Sequence, residues 1–131
     1  MRFCLAAAVG IAALVSASCG GVTDPSKNTV DTFTSTLQVG AVNVHQFNAA
    51  NSGEISVIIK ALSPVTNAVL GVIYGLPQSD GSCAAINGNA GSLSSVVISG
   101  AIVKGSYCLA VYDYFSALSV PENYTITVSH P

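Results

Sequence analysis

From residue 30 onward, apolar and β-branched residues come in short runs, each cut off by Gly, Pro, Asn or Ser, and no stretch keeps the period of a helix. That punctuation constrains the fold more than any other feature of the chain. Runs with period-two alternation make strands, and strands joined by short turns pair antiparallel, because a parallel crossover needs about a dozen residues or more. Runs at residues 30–39, 41–49, 54–62, 68–75, 93–99 and 106–113, a weaker one at 83–86 and a final one around Ile126 predict seven or eight strands. With no crossover helix available, two packed antiparallel sheets are the economical arrangement, an all-β sandwich.

The inner faces can be read from the alternation. In residues 54–62, Ile55, Val57, Ile59 and Ala61 alternate with Glu54, Ser56, Ile58 and Lys60. At the end of the chain Tyr124, Ile126 and Val128 face one way, with Thr125, Thr127 and Ser129 opposite them. Ile58 and Ile98 fall on otherwise polar faces, and strands with so few lysines are poorly guarded against pairing, so a protein partner is expected.

Residues 1–18 read as an export signal: Arg2, an apolar run from Phe3 to Val15, then Ser16-Ala17-Ser18 before Cys19. The run is shorter than the ~20 residues that span a bilayer. Cys19 is the expected lipidation site, which makes the mature chain an envelope lipoprotein anchored to a membrane, the outer one in a two-membrane bacterium because Gly20 follows in place of Asp. Cleavage after Ala17 is the alternative, since Ser16 stands where a lipobox usually has Leu. Residues 19–29, broken by Pro25, form the expected tether, and residues 30–131 a single domain.

Beyond the leader the only basic residues are Lys27, Lys60 and Lys104, set against six acidic ones, for a whole-chain net charge of −2. Nucleic acid as a partner is excluded, because phosphate binding needs clustered cations. With Cys4 removed and Cys19 lipidated, Cys83 and Cys108 are left as a pair, which an oxidising compartment joins. Closing that loop stabilises the fold by roughly 3 kcal/mol. Two cysteines with no CxxC and no adjacent His do not make a zinc site.

The segment Gly105-Ser106-Tyr107-Cys108-Leu109-Ala110-Val111-Tyr112-Asp113, followed after a loop by Asn123-Tyr124-Thr125-Ile126-Thr127-Val128, resembles the closing strands of the bacterial pre-peptidase C-terminal domain. Gly40, Phe47 and Gly53 match its front half more loosely. The resemblance implies a jelly-roll-like β-sandwich, exported and non-catalytic, of the kind appended to secreted enzymes. The chain is also similar to small bacterial lipoproteins that end in a Tyr-Cys strand and a His-Pro terminus.

No catalytic motif stands out. His45 and His130 fall at sheet margins, and the chain has no Gly-x-Ser-x-Gly elbow, no His-Glu-x-x-His and no phosphate loop, so a non-enzyme without cofactor is expected. Calcium would have to use Asp80, Asn87 and Asn89, or Asp113 and Glu122, with no Asp-x-Asp-x-Asp series among them. Tyr112, Tyr114 and Phe115 bracket Asp113 where a strand enters a loop. If exposed they form a binding surface for glycan, peptide or an envelope protein, with Asp113 bonding hydroxyls; if buried they cap the core. A structural coat lipoprotein is the alternative function. Tyr107, two residues after Gly105, resembles the corner tyrosines of other sandwiches.

Overall fold

A computed structural model describes residues 24–131, so the leader, Cys19 and the first part of the tether lie outside the described residues. A 3-10 turn at Pro25–Lys27 precedes eight strands: β1 Thr29–Leu37, β2 Val42–Ala49, β3 Gly53–Ser63, β4 Leu70–Pro77, β5 Cys83–Gly91, β6 Val96–Ile102, β7 Gly105–Asp113 and β8 Glu122–His130. They form two four-stranded antiparallel sheets, in the orders β1-β8-β3-β6 and β2-β7-β4-β5.

The topology follows from one rule of pairing. The first strand pairs with the last, the second with the seventh, the third with the sixth and the fourth with the fifth. The chain is thus one long hairpin, bent at the β4–β5 turn and rolled so that successive pairs go to alternate sheets. That is a jelly roll. Leu37, Phe47, Ile55, Val57, Ile59, Leu70, Val72, Leu109, Val111 and Ile126 fill the space between the sheets. Every one of these side chains comes from the described strands, so residues 24–131 carry their own core and complete sheets, the requirements for independent folding.

Several sequence expectations need correction, and bulges explain most of them. Lys60 is an extra residue between Ile59, opposite Ile126, and Ala61, opposite Thr125. A single inserted residue reverses which side chains face inward, so Ala61 is exposed and Leu62 takes its place in the core. A second irregularity pairs Val57 with Ile98 and Ile58 with Val96, and both Val97 and Ile98 are buried rather than Ile98 facing solvent. The weak run at 83–86 is a full strand to Gly91. Ala, Asn and Gly are poor strand formers alone, and here the register with β4 imposes the conformation. β6 begins at Val96, because Ser94 turns through a φ of 65°. Residues 24–28, expected in the tether, are held on the domain: the Asp24 side chain accepts from the Ser26 amide to cap the 3-10 turn, and the Asn28 amide donates to Glu54 O and Ser129 Oγ at 3.2 Å each.

The Cys83–Cys108 disulfide is formed, with Cα atoms 5.8 Å apart. The two cysteines flank β4, and the bridge is made possible at Gly75. A Cβ on that residue would sit 1.9 Å from the Ala84 carbonyl oxygen, so the β5 backbone passes directly over it.

The sandwich has two distinct ends. Thr29 pairs with His130 at one end, and Leu37 with Glu122 at the other. The β2–β3, β4–β5 and β6–β7 turns lie at the first, which is also where the tether enters. The β1–β2, β3–β4 and β7–β8 loops lie at the second, the distal pole.

Candidate functional site

The distal pole is organised by two buried carboxylates. Asp113, at the end of β7, is 8% exposed. Its Oδ2 accepts from the Gly40 amide at 2.8 Å and its Oδ1 from the Leu118 amide at 3.0 Å, tying the β1–β2 loop to the β7–β8 loop. Burial pushes its pKa upward, but the amides of Leu118, Gly40 and Ala117 outweigh this and hold the carboxyl below its ordinary value. Glu122 is fully buried, and both its oxygens accept from the Val65 amide, at 3.2 and 3.1 Å. It fixes the β3–β4 loop just after the cis Ser63–Pro64 bond. Glu122 continues the inward alternation of Tyr124, Ile126 and Val128, a signal that could have marked it as a buried anchor.

The aromatic residues stand on this frame. The Tyr112 ring lies over Gly71 of β4, where a Cβ would come within 2.2 Å of it. From there the aromatics lead outward: ring centroids are 6.3 Å apart for Tyr112 and Tyr114, and 4.3 Å for Tyr114 and Phe115. Tyr112 and Tyr114 are half-buried, whereas Phe115 is 85% exposed. Phe115 and Ser116 both occupy the left-handed region, with φ of 56° and 52°, a conformation that is costly for residues with a Cβ. The loop therefore holds an aromatic ring in solvent against local strain. Beside it a shallow cleft of about 300 Å³ is lined by Val65, Ala68, Val69, Ala117 and Leu118 together with the polar Asn67 and Ser119. Val39, Val69 and Val120 are also exposed around this pole.

Charge divides the molecule the other way. Asp24, Lys27, Glu54, Asp80 and Lys104 are exposed at or near the tether end, and among the described residues only Lys60 carries an exposed charge in the distal half. The distal pole thus presents Phe115 and several valines among uncharged polar residues such as Gln38, Thr66, Asn67 and Ser119.

Of the residues singled out in the sequence, Tyr112, Asp113, Tyr114 and Phe115 are brought together, but in different roles. Asp113 spends both oxygens on main-chain amides and serves as a loop clamp, leaving Phe115 as the exposed member. Asp80, weighed for calcium with Asp113 and Glu122, lies at the opposite end and accepts from the Ser82 amide and hydroxyl at 2.9 and 2.6 Å. Among the described residues no three His, Cys, Asp or Glu gather in one place. Asn87 and Asn89 accept from the amides of Gly88 and Ala90, at 2.8 and 2.9 Å. Cys83 and Cys108 are the bridge already described, and Cys19 lies outside the described residues.

The histidines sit at the sheet margins, bonded to side chains rather than chiefly to backbone. His45 Nε2 is 2.7 Å from the Tyr124 hydroxyl, and its ring stacks on Phe33 at 4.6 Å. Burial lowers its pKa. His130, 3% exposed, pairs through Nε2 with Asp31 at 2.9 Å. Neither is hydrogen-bonded to a serine or cysteine, so no activated nucleophile is built on them. The Tyr107 hydroxyl donates to Val103 O at 2.8 Å, as a corner tyrosine does.

No family model matches the chain, that of the pre-peptidase C-terminal domain included, and no curated protein matches it. Among solved structures it is similar to PliG of Aeromonas hydrophila, a periplasmic lysozyme inhibitor of g-type lysozyme. The TM-score is 0.53 at 18% identity, covering 82% of this chain and 91% of that one. At that identity the likeness is one of fold, and the β-sandwich is therefore a scaffold shared with a small periplasmic inhibitor protein.

Proposed function

We propose that this chain is a non-catalytic, exported envelope protein that binds a protein partner through its distal pole, with Phe115 as the anchor. The observation that carries this reading is Phe115 itself, 85% exposed on a left-handed backbone. A loop clamped by Asp113 holds a ring in water at a pole with no surface charge beside it, and interface cores are enriched in aromatic residues and depleted of charged ones. The fold shared with a periplasmic lysozyme inhibitor supports a protein as the partner and an enzyme of g-type lysozyme character as the first to test. In the same reading, cleavage before Cys19 and lipidation of that residue anchor the chain to a membrane. The glycan alternative loses its hydroxyl-binding carboxylate, because Asp113 is occupied by Gly40 and Leu118.

The test is peptidoglycan lysis by a g-type lysozyme, titrated with residues 24–131 and with the Phe115→Ala variant. Inhibition by the first, weakened at least about tenfold in the second, is expected, since truncating an anchor residue costs about 2 kcal/mol or more. Inhibition that survives the substitution refutes the assignment to Phe115. No inhibition of any muralytic enzyme, combined with glycan-array binding, replaces the protein partner with a sugar.

A further inference from the structure

Strand β5 carries the run Asn87-Gly88-Asn89-Ala90, and one local geometry occurs there twice. The Gly88 amide donates to Asn87 Oδ1 at 2.8 Å, and the Ala90 amide to Asn89 Oδ1 at 2.9 Å. β5 is the outer strand of its sheet, and alternate residues of an antiparallel edge strand turn their amides away from the neighbouring strand. The side-chain bonds mark Gly88 and Ala90 as those residues. Each of these main-chain nitrogens is therefore held against the side-chain amide of the preceding asparagine, and Asn87, Gly88 and Asn89 are all exposed to water. The ladder is interrupted beside them, because the register with β4 shifts between Tyr74, opposite Asn87, and Gly75, opposite Ala85.

We infer that Asn87 is a self-modification site, at which the Gly88 nitrogen displaces the side-chain amide as ammonia and the residue becomes aspartate or isoaspartate. The only co-reactant is water. The Gly88 nitrogen bonds to Asn87 Cγ while water relays its proton to Nδ2, and the Cγ–Nδ2 bond breaks to release ammonia and leave a cyclic succinimide. Water then opens the ring. Addition at Cγ restores the main chain with an aspartate side chain, whereas addition at the main-chain carbonyl carbon of residue 87 reroutes the chain through Cβ and Cγ as isoaspartate, with an extra methylene in the backbone. Rotation about Cβ–Cγ, a broad torsion, turns the face of the side-chain carbonyl toward the nitrogen beside it. Gly88 has no Cβ to crowd that approach and bends freely into the ring, whereas Ala90 brings a methyl group against Asn89. Packing explains why the glycine is there, since a Cβ at residue 88 would lie 2.4 Å from Ile73 Cγ2. The added methylene breaks the alternation beyond residue 87, where Gly88–Gly91 pair with Leu70–Ile73, while the Cys83–Cys108 bridge holds the start of the strand. Either product also adds a negative charge to a chain of net charge −2, so the age of the molecule is written in its charge and in a loosened strand end.

Ageing residues 24–131 in mildly alkaline buffer, folded and in urea, with peptide mapping for aspartate and isoaspartate, tests this. In the folded protein Asn87 should convert first, at least about tenfold faster than Asn89, a barrier difference of about 1.4 kcal/mol. Asn87→Gln lengthens the side chain beyond easy ring closure at an exposed position, so it should remove the new acidic species on ion exchange and leave the circular dichroism of the parent. The isoaspartate form, separated by its charge, should exchange amide hydrogens faster over Gly88–Gly91 than over Cys83–Ala85. Asn87→Asp, which carries the charge without the extra methylene, should keep the parent's pattern. Conversion of Asn87 in urea alone means that the fold protects it and overturns the inference, as does conversion of Asn89 at the same pace. An isoaspartate form with the parent's exchange pattern overturns the loosening of the strand.

Discussion

Replacing Cys83 and Cys108 together with alanine tests what holds the edge of the second sheet. The bridge closes a loop with a sequence separation of 25, and chain-entropy arithmetic puts its removal at about 3.5 kcal/mol, through the extra freedom of the unfolded chain. Alanine is the right replacement because Cys108 is fully buried and a serine hydroxyl there would add a desolvation cost of its own. For a domain of this size that free energy lowers Tm by about 15 °C. Scanning calorimetry of the oxidised parent, the reduced parent and the double variant reads it directly, and the last two should agree. The loss should also be local in onset. β5 hydrogen-bonds only to β4 and is exposed along most of its length, so its amides should gain hydrogen exchange before those of β7. A fall in Tm below about 5 °C, or uniform loss of protection, would refute the view that the bridge staples a strand the sequence holds weakly.

Gly75→Ala should cost about 1–3 kcal/mol in urea unfolding, because its Cβ meets backbone at Ala84, whereas Gly100→Ala, with nothing within 4 Å, should be neutral or stabilising by about 0.5 kcal/mol. Tyr124→Phe should cost about 1 kcal/mol by unpairing His45 and Asn43, with the hydroxyl as the only atom lost. Burial holds His45 below its ordinary pKa, so the unfolded chain binds the proton more readily. Stability from this residue is complete above about pH 6.5 and declines as pH falls below it, and His45→Gln should flatten the change in urea midpoint between about pH 7 and pH 5. Asp113→Ala should raise hydrogen exchange at the Gly40 and Leu118 amides while leaving the β3 and β8 amides protected; unchanged loop exchange would count against the clamp.

Alternation carried most of the fold. It placed Ile55, Val57, Ile59, Tyr124, Ile126 and Val128 on inner faces correctly because the burial of one face is what selects such sequences. It failed at Lys60 and Val97, where an inserted residue breaks the period and no local residue type announces it. Strand β5 was only half legible, since its conformation comes from β4 and the disulfide rather than from Ala, Asn and Gly. The loop Tyr112–Phe115 could be singled out by composition, yet the division of labour within it could not. Whether a carboxylate is a ligand or a clamp depends on amides brought from Gly40, 73 residues away in sequence, and from Leu118.

The opposition of the two ends fixes a height and a direction. Strand β1 rises from Thr29 to Leu37, about 30 Å at ~3.3 Å per residue, and Phe115 lies beyond its upper end. The point where the chain enters the domain and the exposed Phe115 ring therefore lie at opposite ends of the sandwich, separated by about the thickness of a bilayer's hydrocarbon core.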